Sequence, residues 1–223
     1  MSNKLVTTSD GSHTLFVPEL NEHFHSVNGA VQESMLVYIK NGFDFCAADP
    51  VHLLEIGFGT GLNALLTLMR SSEAERSVYY TAIEKYPLQK DLISLLNHSS
   101  FAGEKGAYLS DLIHSAAWNM PVKLTENFTL SKLISDFTSD QITGLFDLIY
   151  FDAFGPDKQP EMWSGQLFRK ISDVTAPGGV FVTYSAKGTV KRALRSCGFD
   201  VSMLQGPPGK RQMIRAIKKD KLF

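Results

Sequence analysis

The sequence has few cysteines and no long hydrophobic run, and each absence excludes a class of protein. Its two cysteines, Cys46 and Cys197, lie far apart and cannot supply a disulfide framework or a zinc site. His23, His25 and Glu33 lack a further ligand at suitable spacing, so we expect them in hydrogen bonds at the surface or at helix ends. No apolar run approaches the ~20 residues of a membrane span, and the N-terminus lacks the order of a secretory signal. We therefore expect a cytoplasmic protein with no membrane partner and no bound metal.

An excess of positive charge is also missing, because 22 basic residues oppose 23 acidic ones and the net charge is -1. This balance disfavours a protein that binds nucleic acid through its overall charge. The distribution is uneven, however, since residues 187 to 221 hold ten basic side chains and two acidic ones. This basic region predicts a local face for phosphate groups.

A glycine turn stands at the centre of the sequence pattern. The apolar run Val51–Ile56 predicts a strand, and helical spacing of apolar residues follows over Leu62–Arg70. The glycines between them are spaced G-x-G-x-G, whereas the dinucleotide fingerprint is G-x-G-x-x-G. With an acid at the end of the strand, this spacing resembles motif I of class I S-adenosylmethionine-dependent methyltransferases, although a plain strand-to-helix turn can carry the same glycines. The cofactor-binding candidates in this stretch are Glu55, Gly57, Gly59, Gly61 and Asn63.

Two further acids follow predicted strands and are candidates for the same ligand. Glu84 ends the strand Val78–Ile83, where folds of this type bind ribose hydroxyls, and its alternative role is to start the next helix. Asp136 follows the strand Phe128–Ile134 and could accept a hydrogen bond from an adenine amine, or else cap a short helix. Both acids would lie at the carboxyl edge of a parallel sheet, where ligands bind.

Strands alternate with helices along the rest of the chain, and this order predicts an α/β fold. We expect residues 46–223 to form a three-layer, Rossmann-like sandwich with a predominantly parallel, seven-stranded sheet whose last two strands are antiparallel. Residues 1–45 are mixed in pattern, and we expect an appendage, with a small hairpin and a helix, that forms a lid or wall of the site. The other predicted strands are Phe146–Phe151, Val180–Tyr184, Asp200–Leu204 and Gln212–Ile217, and the other predicted helices are Asp91–Leu96, Tyr108–Trp118, Lys191–Ser196 and one that contains Leu167.

The residues after the strand Phe146–Phe151 are the most informative of the sequence. They run D-A-F-G-P-D-K-Q-P-E-M-W from Asp152 to Trp163 and place a carboxylate, aromatic rings and a proline-stiffened loop beside the glycine turn. With the E-I-G-F-G-T-G-L-N turn, the later P-G-G and K-G-x-V-x-R segments and the late G-K-R-x-M segment, they resemble the methyltransferase part of the bifunctional bacterial enzymes that make 5-methylaminomethyl-2-thiouridine in tRNA. The resemblance runs from about residue 9 to residue 218.

The resemblance implies methyl transfer from S-adenosylmethionine to the exocyclic primary amine of 5-aminomethyl(-2-thio)uridine at the wobble position of tRNA. The partner would then be the anticodon loop of a tRNA. Enzymes of this family also carry a flavin-dependent oxidoreductase that removes a carboxymethyl group. Because 223 residues leave no room for that domain, we expect a stand-alone methyltransferase whose aminomethyl precursor comes from a separate enzyme.

The motif residues have candidate roles in such a reaction. An amine attacks only when it is neutral, so the site needs a proton acceptor. Asp152 is the catalytic candidate, unless it binds the ammonium group of the cofactor. Phe154, Met162 and Trp163 would wall the site and stack on the uridine, or else pack in the core. Basic residues would contact the tRNA phosphates as a group, although each alone is typical of an ordinary surface charge. They are Lys158, Lys187, Lys191, Arg192, Lys210 and Arg211.

Three other functions fit parts of the pattern. The first is a small-molecule N- or O-methyltransferase with the same cofactor, which would show no salt-sensitive tRNA binding. The second is a NAD-dependent oxidoreductase, which the glycine spacing and the lack of a Ser/Tyr/Lys or metal constellation disfavour. The third is a non-catalytic tRNA- or nucleotide-binding module that has kept the fold. No pattern in the sequence indicates an oligomeric state.

Overall fold

The computed structural model describes residues 3–220, so Lys221, the last residue of the basic region, lies outside them. Within this range the chain forms eleven strands in two sheets. The three-stranded N-terminal sheet contains β1 (Lys4–Thr7), β2 (His13–Val17) and β3 (Glu22–His23). The larger sheet contains β4 (Val51–Ile56), β5 (Val78–Glu84), β6 (Pro121–Thr125), β7 (Phe128–Ile134), β8 (Phe146–Phe151), β9 (Thr175–Thr183), β10 (Phe199–Gln205) and β11 (Gln212–Lys218).

The larger sheet has the strand order β10-β11-β9-β8-β4-β5-β7-β6. The strands from β9 to β7 in this order are parallel, whereas β11 is antiparallel to both of its neighbours and β6 is antiparallel to β7. A parallel strand covered on both faces is apolar almost throughout, which accounts for the composition of β8. The mostly parallel sheet and the antiparallel final pair agree with the prediction. The carboxyl ends of β4, β5 and β8 therefore meet at one edge.

In the described residues the larger sheet has one strand more than the seven that the sequence predicts. The additional strand is β6, which forms an edge and pairs with β7 across a tight turn at residues 126 and 127. It begins at Pro121, which lacks an N–H and is tolerated at the start of an edge strand. Its side chains alternate only weakly between exposed and buried positions, so the sequence carries no clear period of two there.

Helices cover both faces of the larger sheet. A π-helical segment (Met35–Phe43) packs on one face together with α2 (Leu62–Glu73) and α4 (Gly106–Ser115). Helices α5 (Gly165–Val174) and α6 (Gly188–Ser196) pack on the other face. The alternation of Leu53 and Leu54 in β4 supplies one side chain to each core. No helix in residues 3–220 combines the length and the apolar character that a membrane crossing requires. The α-helices are α1 (Ala30–Ser34), α2 (Leu62–Glu73), α3 (Lys90–Ser94), α4 (Gly106–Ser115), α5 (Gly165–Val174) and α6 (Gly188–Ser196), and 3₁₀ turns span His98–Phe101 and Pro160–Trp163.

Two predicted boundaries differ from the structure for local reasons. Helix α4 ends at Ser115, and Trp118, which the prediction included in it, instead forms an isolated bridge with Lys132 of β7. The segment 176–179, which precedes the predicted strand Val180–Tyr184, lies inside β9 as a bulge, because the pairing with β8 passes from Thr175 directly to Val180.

The N-terminal residues combine the predicted hairpin with a helical part that enters the core. Strands β1 and β2 form the hairpin, and β3 extends it. Asp10 links this sheet to α1, because its Oδ2 accepts a hydrogen bond of 2.9 Å from the backbone N–H of Gln32. In the π-helical segment, Tyr38 and Phe43 are buried against the larger sheet. The division of the chain at residue 45 stays a prediction.

Candidate active site

A cleft of about 750 Å³ opens at the carboxyl ends of β4, β5 and β8. Its floor contains the glycine turn and the residues that follow β8, and its opposite wall contains residues between 17 and 27. The volume lies within the range of small-molecule sites in proteins. The cleft is therefore enclosed jointly by the larger sheet and the N-terminal sheet.

The glycine turn is shaped by contacts that exclude side chains. Gly57 has a φ of +94°, and a Cβ added there would lie 2.7 Å from the carbonyl oxygen of Asp152. Gly59 has a φ of +51°, and a Cβ there would lie 3.0 Å from the ring of Phe24. Positive φ values and these close approaches both favour glycine. Gly61, with a φ of +75°, stands directly before α2.

Asp152 lines the cleft, and both of its carboxylate oxygens accept hydrogen bonds from the protein. The Tyr38 hydroxyl donates to Oδ1 at 2.6 Å, and the Asn63 amide donates to Oδ2 at 2.8 Å. Burial raises the pKa of Asp152 to about 6, although the hydrogen bond from Tyr38 acts in the opposite direction. Such a carboxylate is ionised at neutral pH and accepts a proton more readily than an ordinary aspartate does, as a general base requires.

Glu55 and Asn63 lie behind Asp152, and neither is among the described residues that line the cleft. Glu55 is fully buried, and this burial raises its pKa well above the usual range. Its Oε1 accepts a hydrogen bond of 3.0 Å from the same amide nitrogen of Asn63 that donates to Asp152. Glu55 therefore orients Asn63, and Asn63 orients Asp152. The direct cofactor contacts of Glu55 and Asn63 stay predictions.

Glu84 and Asp136 also line the cleft. The Oε2 atom of Glu84 accepts a hydrogen bond of 2.9 Å from the backbone N–H of Gly59, so Glu84 holds the glycine turn while lone pairs stay available for ribose hydroxyls. Asp136 accepts a hydrogen bond of 2.9 Å from the backbone N–H of Thr138, which closes a turn rather than capping a helix. Its hydrogen bond with Lys85, at 2.7 Å, lowers its pKa to about 2.

The residues of the cleft fit the cofactor that the sequence predicts. S-adenosylmethionine carries a positive sulfonium, an ammonium, ribose hydroxyls and an adenine amine, and all of these favour carboxylate partners. Glu84, Asp136 and Asp152 present carboxylates to one cleft. The glycine turn between them offers backbone without side chains, so a ligand can approach closely.

The predicted aromatic wall is only partly in the cleft. Phe154 and Met162 line it. The centres of the Phe154 and Phe24 rings lie 5.2 Å apart in an edge-to-face arrangement. Trp163 is buried behind them and packs against Phe151, with 4.8 Å between the ring centres. Its indole N–H donates to the carbonyl oxygen of Phe154 at 2.8 Å. Trp163 thus supports Phe154 from the core, which is the packing alternative of the prediction.

Most of the predicted phosphate contacts lie on the surface around the loop that follows β8. Lys158 donates a hydrogen bond of 3.0 Å to the backbone carbonyl of Asn21, and Lys187 forms an ion pair with Asp157. Lys191 and Arg192 both lie on α6, and Arg192 is exposed. Arg211 is exposed on the loop between β10 and β11.

Lys210 is placed differently from the other basic candidates. Its side chain lines the cleft, where its ammonium pairs with the buried carboxylate of Glu33 and lies 3.9 Å from the centre of the Tyr184 ring. The sequence does not predict these contacts, because Glu33 and Lys210 are far apart in the chain and meet only through the fold.

Sequence reasoning expects an N-terminal wall but misses the contacts that the N-terminal residues make with the site. Tyr38, in the predicted N-terminal appendage, donates a hydrogen bond to Asp152 that the sequence does not predict. His25 Nε2 lies 2.7 Å from the Thr60 hydroxyl, so it joins this wall to the glycine turn instead of forming a surface contact. An aromatic residue among polar ones, Phe24, is the one local signal of such a wall. In the part of the chain that the structure describes, no group of three or more His, Cys, Asp or Glu could hold a metal ion.

Comparisons with known proteins agree with the predicted fold and cofactor. A sequence model described as S-adenosyl-L-methionine-dependent methyltransferase matches residues 105–219. The tRNA 5-methylaminomethyl-2-thiouridine biosynthesis bifunctional protein MnmC of Pseudoalteromonas atlantica is 33% identical over 222 residues, which cover 87% of this chain and 30% of that protein. The protein with the same description from Paraburkholderia xenovorans is 27% identical over 217 residues, which cover 90% of this chain and 33% of that protein.

The fold has a counterpart among solved structures. The crystal structure of MnmC2 from Aquifex aeolicus has a TM-score of 0.80 at 23% identity and covers 98% of this chain and 70% of that chain. The chain spans about a third of the length of the curated relatives it matches. The Rossmann-like α/β fold and the cofactor that the sequence predicts are thereby confirmed. The chain belongs to the S-adenosyl-L-methionine-dependent methyltransferases, in the family of the MnmC methyltransferases.

Proposed function

We propose that the chain is an N-methyltransferase that converts 5-aminomethyl(-2-thio)uridine to 5-methylaminomethyl(-2-thio)uridine at the wobble position of tRNA. The names of the MnmC relatives support this substrate. The observation that carries the proposal is Asp152, an ionisable carboxylate held in the cleft by the Tyr38 hydroxyl and the Asn63 amide. A proton acceptor of this kind is required by an amine that is protonated in water and must become neutral before it attacks.

The chain contributes deprotonation and orientation to the reaction. When bound, S-adenosylmethionine supplies an electrophilic methyl group whose bond to sulfur breaks as the amine nitrogen forms its bond to carbon. Asp152 accepts one proton from the substrate ammonium, so the nitrogen lone pair becomes free for that bond. Tyr38 and Asn63 hold the carboxylate still, which favours one direction of approach and reduces the entropy lost on reaching the reactive geometry.

The mouth of the cleft suits a nucleotide base that is turned out of an RNA loop. Phe24, Phe154 and Met162 offer rings and a thioether beside Asp152, and stacking of a base on aromatic side chains stabilises binding by ~1–3 kcal/mol. Lys158 and Lys187 stand near the same loop and would meet phosphates of the anticodon loop. A tRNA substrate also implies that the reaction takes place in the cytoplasm.

The aminomethyl precursor must be made by another active site. The chain spans only about a third of its curated relatives, and the described residues hold one methyltransferase fold. We propose that a separate enzyme or domain removes the carboxymethyl group, after which this chain adds the methyl group.

The test is transfer of isotopically labelled methyl groups to tRNA. The protein is incubated with labelled S-adenosylmethionine and tRNA that carries 5-aminomethyl-2-thiouridine, and the nucleosides are then separated by mass spectrometry. We expect label in 5-methylaminomethyl-2-thiouridine from the wobble position. Label in small amines or alcohols, with none in tRNA, would identify a small-molecule methyltransferase instead.

Asp152→Asn separates the two roles proposed for this carboxylate. A proton acceptor predicts that methyl transfer falls by a factor of about 100 or more, while the Kd of S-adenosylmethionine stays within about threefold of the wild-type value. If Asp152 binds the cofactor's ammonium, that Kd rises by about tenfold or more, since a charged hydrogen bond is lost. A wild-type protein that binds tRNA and cofactor but transfers no methyl group would support the non-catalytic module.

A further inference from the structure

Lys210 joins two walls of the cleft from a loop outside it. The loop between β10 and β11 carries Lys210 to the carboxylate of Glu33 and over the face of Tyr184. Glu33 is only 5% exposed, and its second oxygen accepts a hydrogen bond of 2.9 Å from the backbone N–H of Ser26. A carboxylate buried to this degree requires a partner charge, and Lys210 supplies it.

The aromatic ring beneath Lys210 is connected to the residue next to Asp152. The Tyr184 hydroxyl donates a hydrogen bond of 2.8 Å to the carbonyl oxygen of Ala153. The ammonium, the ring and the strand end that carries Asp152 therefore form one continuous set of contacts. These contacts connect Lys210 to the end of the strand that precedes Asp152.

The charges around Asp152 come from several elements. The titratable groups that face it are Glu33 of α1, Tyr38 of the π-helical segment, Glu55 of β4, Tyr80 of β5, Tyr184 after β9, and Lys210. Burial raises the pKa of each tyrosine and of Glu55 well above its usual range. Two groups act on Asp152 through their charge: Glu33 favours its protonation, and Lys210 opposes it.

We propose that Lys210 is a positioning residue for methyl transfer, whose ammonium, fixed by Glu33 and Tyr184, keeps Asp152 in the ionised form that accepts the proton of the substrate amine. This inference rests on the proposed function. It assigns Lys210 a place inside the cleft instead of the predicted phosphate contact. The next residue, Arg211, is exposed and keeps the predicted role at the surface.

The first test is a direct titration of the Asp152 carboxyl by carbon-13 NMR in the protein without substrate. The signal is identified by its loss in Asp152→Asn. We expect Lys210→Met to raise the midpoint by roughly half to one pH unit, because a favourable positive charge is removed. Glu33→Gln should lower the Asp152 midpoint by a similar amount. In the double variant, which carries both Lys210→Met and Glu33→Gln, the midpoint should lie close to that of the wild type. Lys210→Arg keeps the charge and should restore the midpoint.

The second test is the pH dependence of kcat/KM for methyl transfer to tRNA. In Lys210→Met the acid limb should move to higher pH with the NMR midpoint, so activity falls most below pH 7 and least above pH 8. Arg211→Met is the matched control, because it removes the adjacent exposed charge. It should weaken tRNA binding without moving the acid limb.

Lys210→Met and Glu33→Gln break the same ion pair, so a merely structural pair would shift the Asp152 midpoint in the same direction in both variants. Opposite shifts of the midpoint therefore indicate an effect of charge. An unmoved midpoint in Lys210→Met, or shifts of the same sign in Lys210→Met and Glu33→Gln, would overturn the inference. Failure of the wild-type protein to methylate tRNA would refute the proposed function alone. In that case the NMR titration still decides whether Lys210 controls the charge of Asp152.

Discussion

Asp152 is held between two opposing effects, and their balance decides how it behaves. Hydrogen bonds from Tyr38 and Asn63 favour the carboxylate, while burial favours the neutral acid. Burial wins, since the pKa rises from 3.8 to about 6. Ionisation at neutral pH therefore costs folding free energy, as is common where a residue serves chemistry rather than stability.

The pH dependence of stability tests this balance. Between about pH 4 and pH 6 the folded state holds the Asp152 proton more tightly than the unfolded chain does, so this group stabilises the fold at low pH and its contribution is lost as the pH rises through 6. We expect Asp152→Asn to gain stability relative to the wild type over this range, by up to about 3 kcal/mol above pH 6. Urea unfolding at several pH values measures the difference.

Asp157→Asn is the control for this prediction. Asp157 lies on the same loop, with 79% of its side chain exposed, and pairs with Lys187 at the surface. Its substitution should change stability by less than about 1 kcal/mol. A difference between Asp152→Asn and the wild type that stays constant from pH 4 to pH 8 would show that Asp152 titrates normally.

The sequence identifies residues whose position follows from one strand and misses those that depend on distant contacts. Asp152 is predictable because it directly follows an apolar strand in a parallel sheet. Tyr38 reaches Asp152 across 114 residues of sequence, and Lys210 reaches Glu33 across 177. Trp163 looks equally suited to the cleft and to the core in the sequence, and only the packing around Phe151 decides between them.

At the scale of elements, the glycine turn connects three parts of the cleft. It links β4 to α2, touches the exit of β8 through Gly57, and meets the N-terminal wall through Gly59. The Glu84 carboxylate fixes it from β5 by the hydrogen bond to Gly59. A side chain in this turn would therefore disturb neighbouring elements as well as the ligand surface.

Gly57→Ala should be among the more damaging small substitutions in the chain. The added Cβ would meet the carbonyl oxygen of Asp152 at 2.7 Å while the backbone keeps a φ of +94°. We expect a loss of about 1–3 kcal/mol in the free energy of unfolding and at least tenfold weaker binding of S-adenosylmethionine, measured by urea unfolding and calorimetry. Gly165→Ala is the control, because nothing lies within 4 Å of its Cβ and it begins α5. Equal effects of the two substitutions would contradict this account of the turn.

Two histidines fasten the N-terminal residues to the rest of the chain, one at the glycine turn and one at the 3₁₀ turn His98–Phe101. His25 Nε2 lies 2.7 Å from the Thr60 hydroxyl, and His98 Nε2 donates a hydrogen bond of 2.7 Å to the carbonyl oxygen of His13 in β2. Burial lowers the pKa of both rings, that of His25 to about 3. Both are therefore neutral in the folded protein at physiological pH.

Mild acid should weaken this attachment. Below pH 6.5 the unfolded chain binds protons that the folded His25 and His98 do not, so stability is lost as the pH falls. For His25 alone the loss between pH 6.5 and pH 5 is at most about 2 kcal/mol. His25→Gln removes this group, and its unfolding free energy should fall less steeply than that of the wild type in urea titrations. A parallel decline of the two proteins would show that His25 is not responsible.

The elements that the sequence predicts least well are those that the rest of the fold stabilises. Strand β6 has weak alternation and relies on pairing with β7. The π-helical segment Met35–Phe43 has apolar residues at many positions, so its period is ambiguous, and burial of Tyr38 and Phe43 against the sheet fixes its conformation. Long apolar strands such as β4 and β8 carry their own signal and are predicted with the observed bounds.

For the whole molecule, the net charge of -1 means that overall charge does not draw tRNA to the protein. Attraction of the proposed tRNA substrate would therefore have to come from local groups. Lys158 lies on the loop after β8, Lys187 pairs with Asp157 of that loop, and Arg192 is exposed on α6. Arg211 lies on the loop between β10 and β11, next to Lys210, which lines the cleft. The affinity for tRNA should therefore fall as the salt concentration rises, and the steepness of this fall should reflect the number of cations that contact phosphates.

We expect log Kobs for tRNA to fall with log[salt] with a slope of about -2 to -4, as roughly three to five phosphate contacts would give. Arg192→Met should reduce the size of this slope by about 1 and weaken binding to all tRNAs alike, because a phosphate contact carries no sequence information. Lys123→Met is the control, since Lys123 is exposed on β6 opposite the start of β7, at the end of the sheet away from the cleft. A filter-binding titration at several salt concentrations measures both variants. Equal slopes for wild type and Arg192→Met, or a slope near zero for the wild type, would mean that these cations do not meet the tRNA backbone, and the substrate would then have to be recognised within the cleft alone.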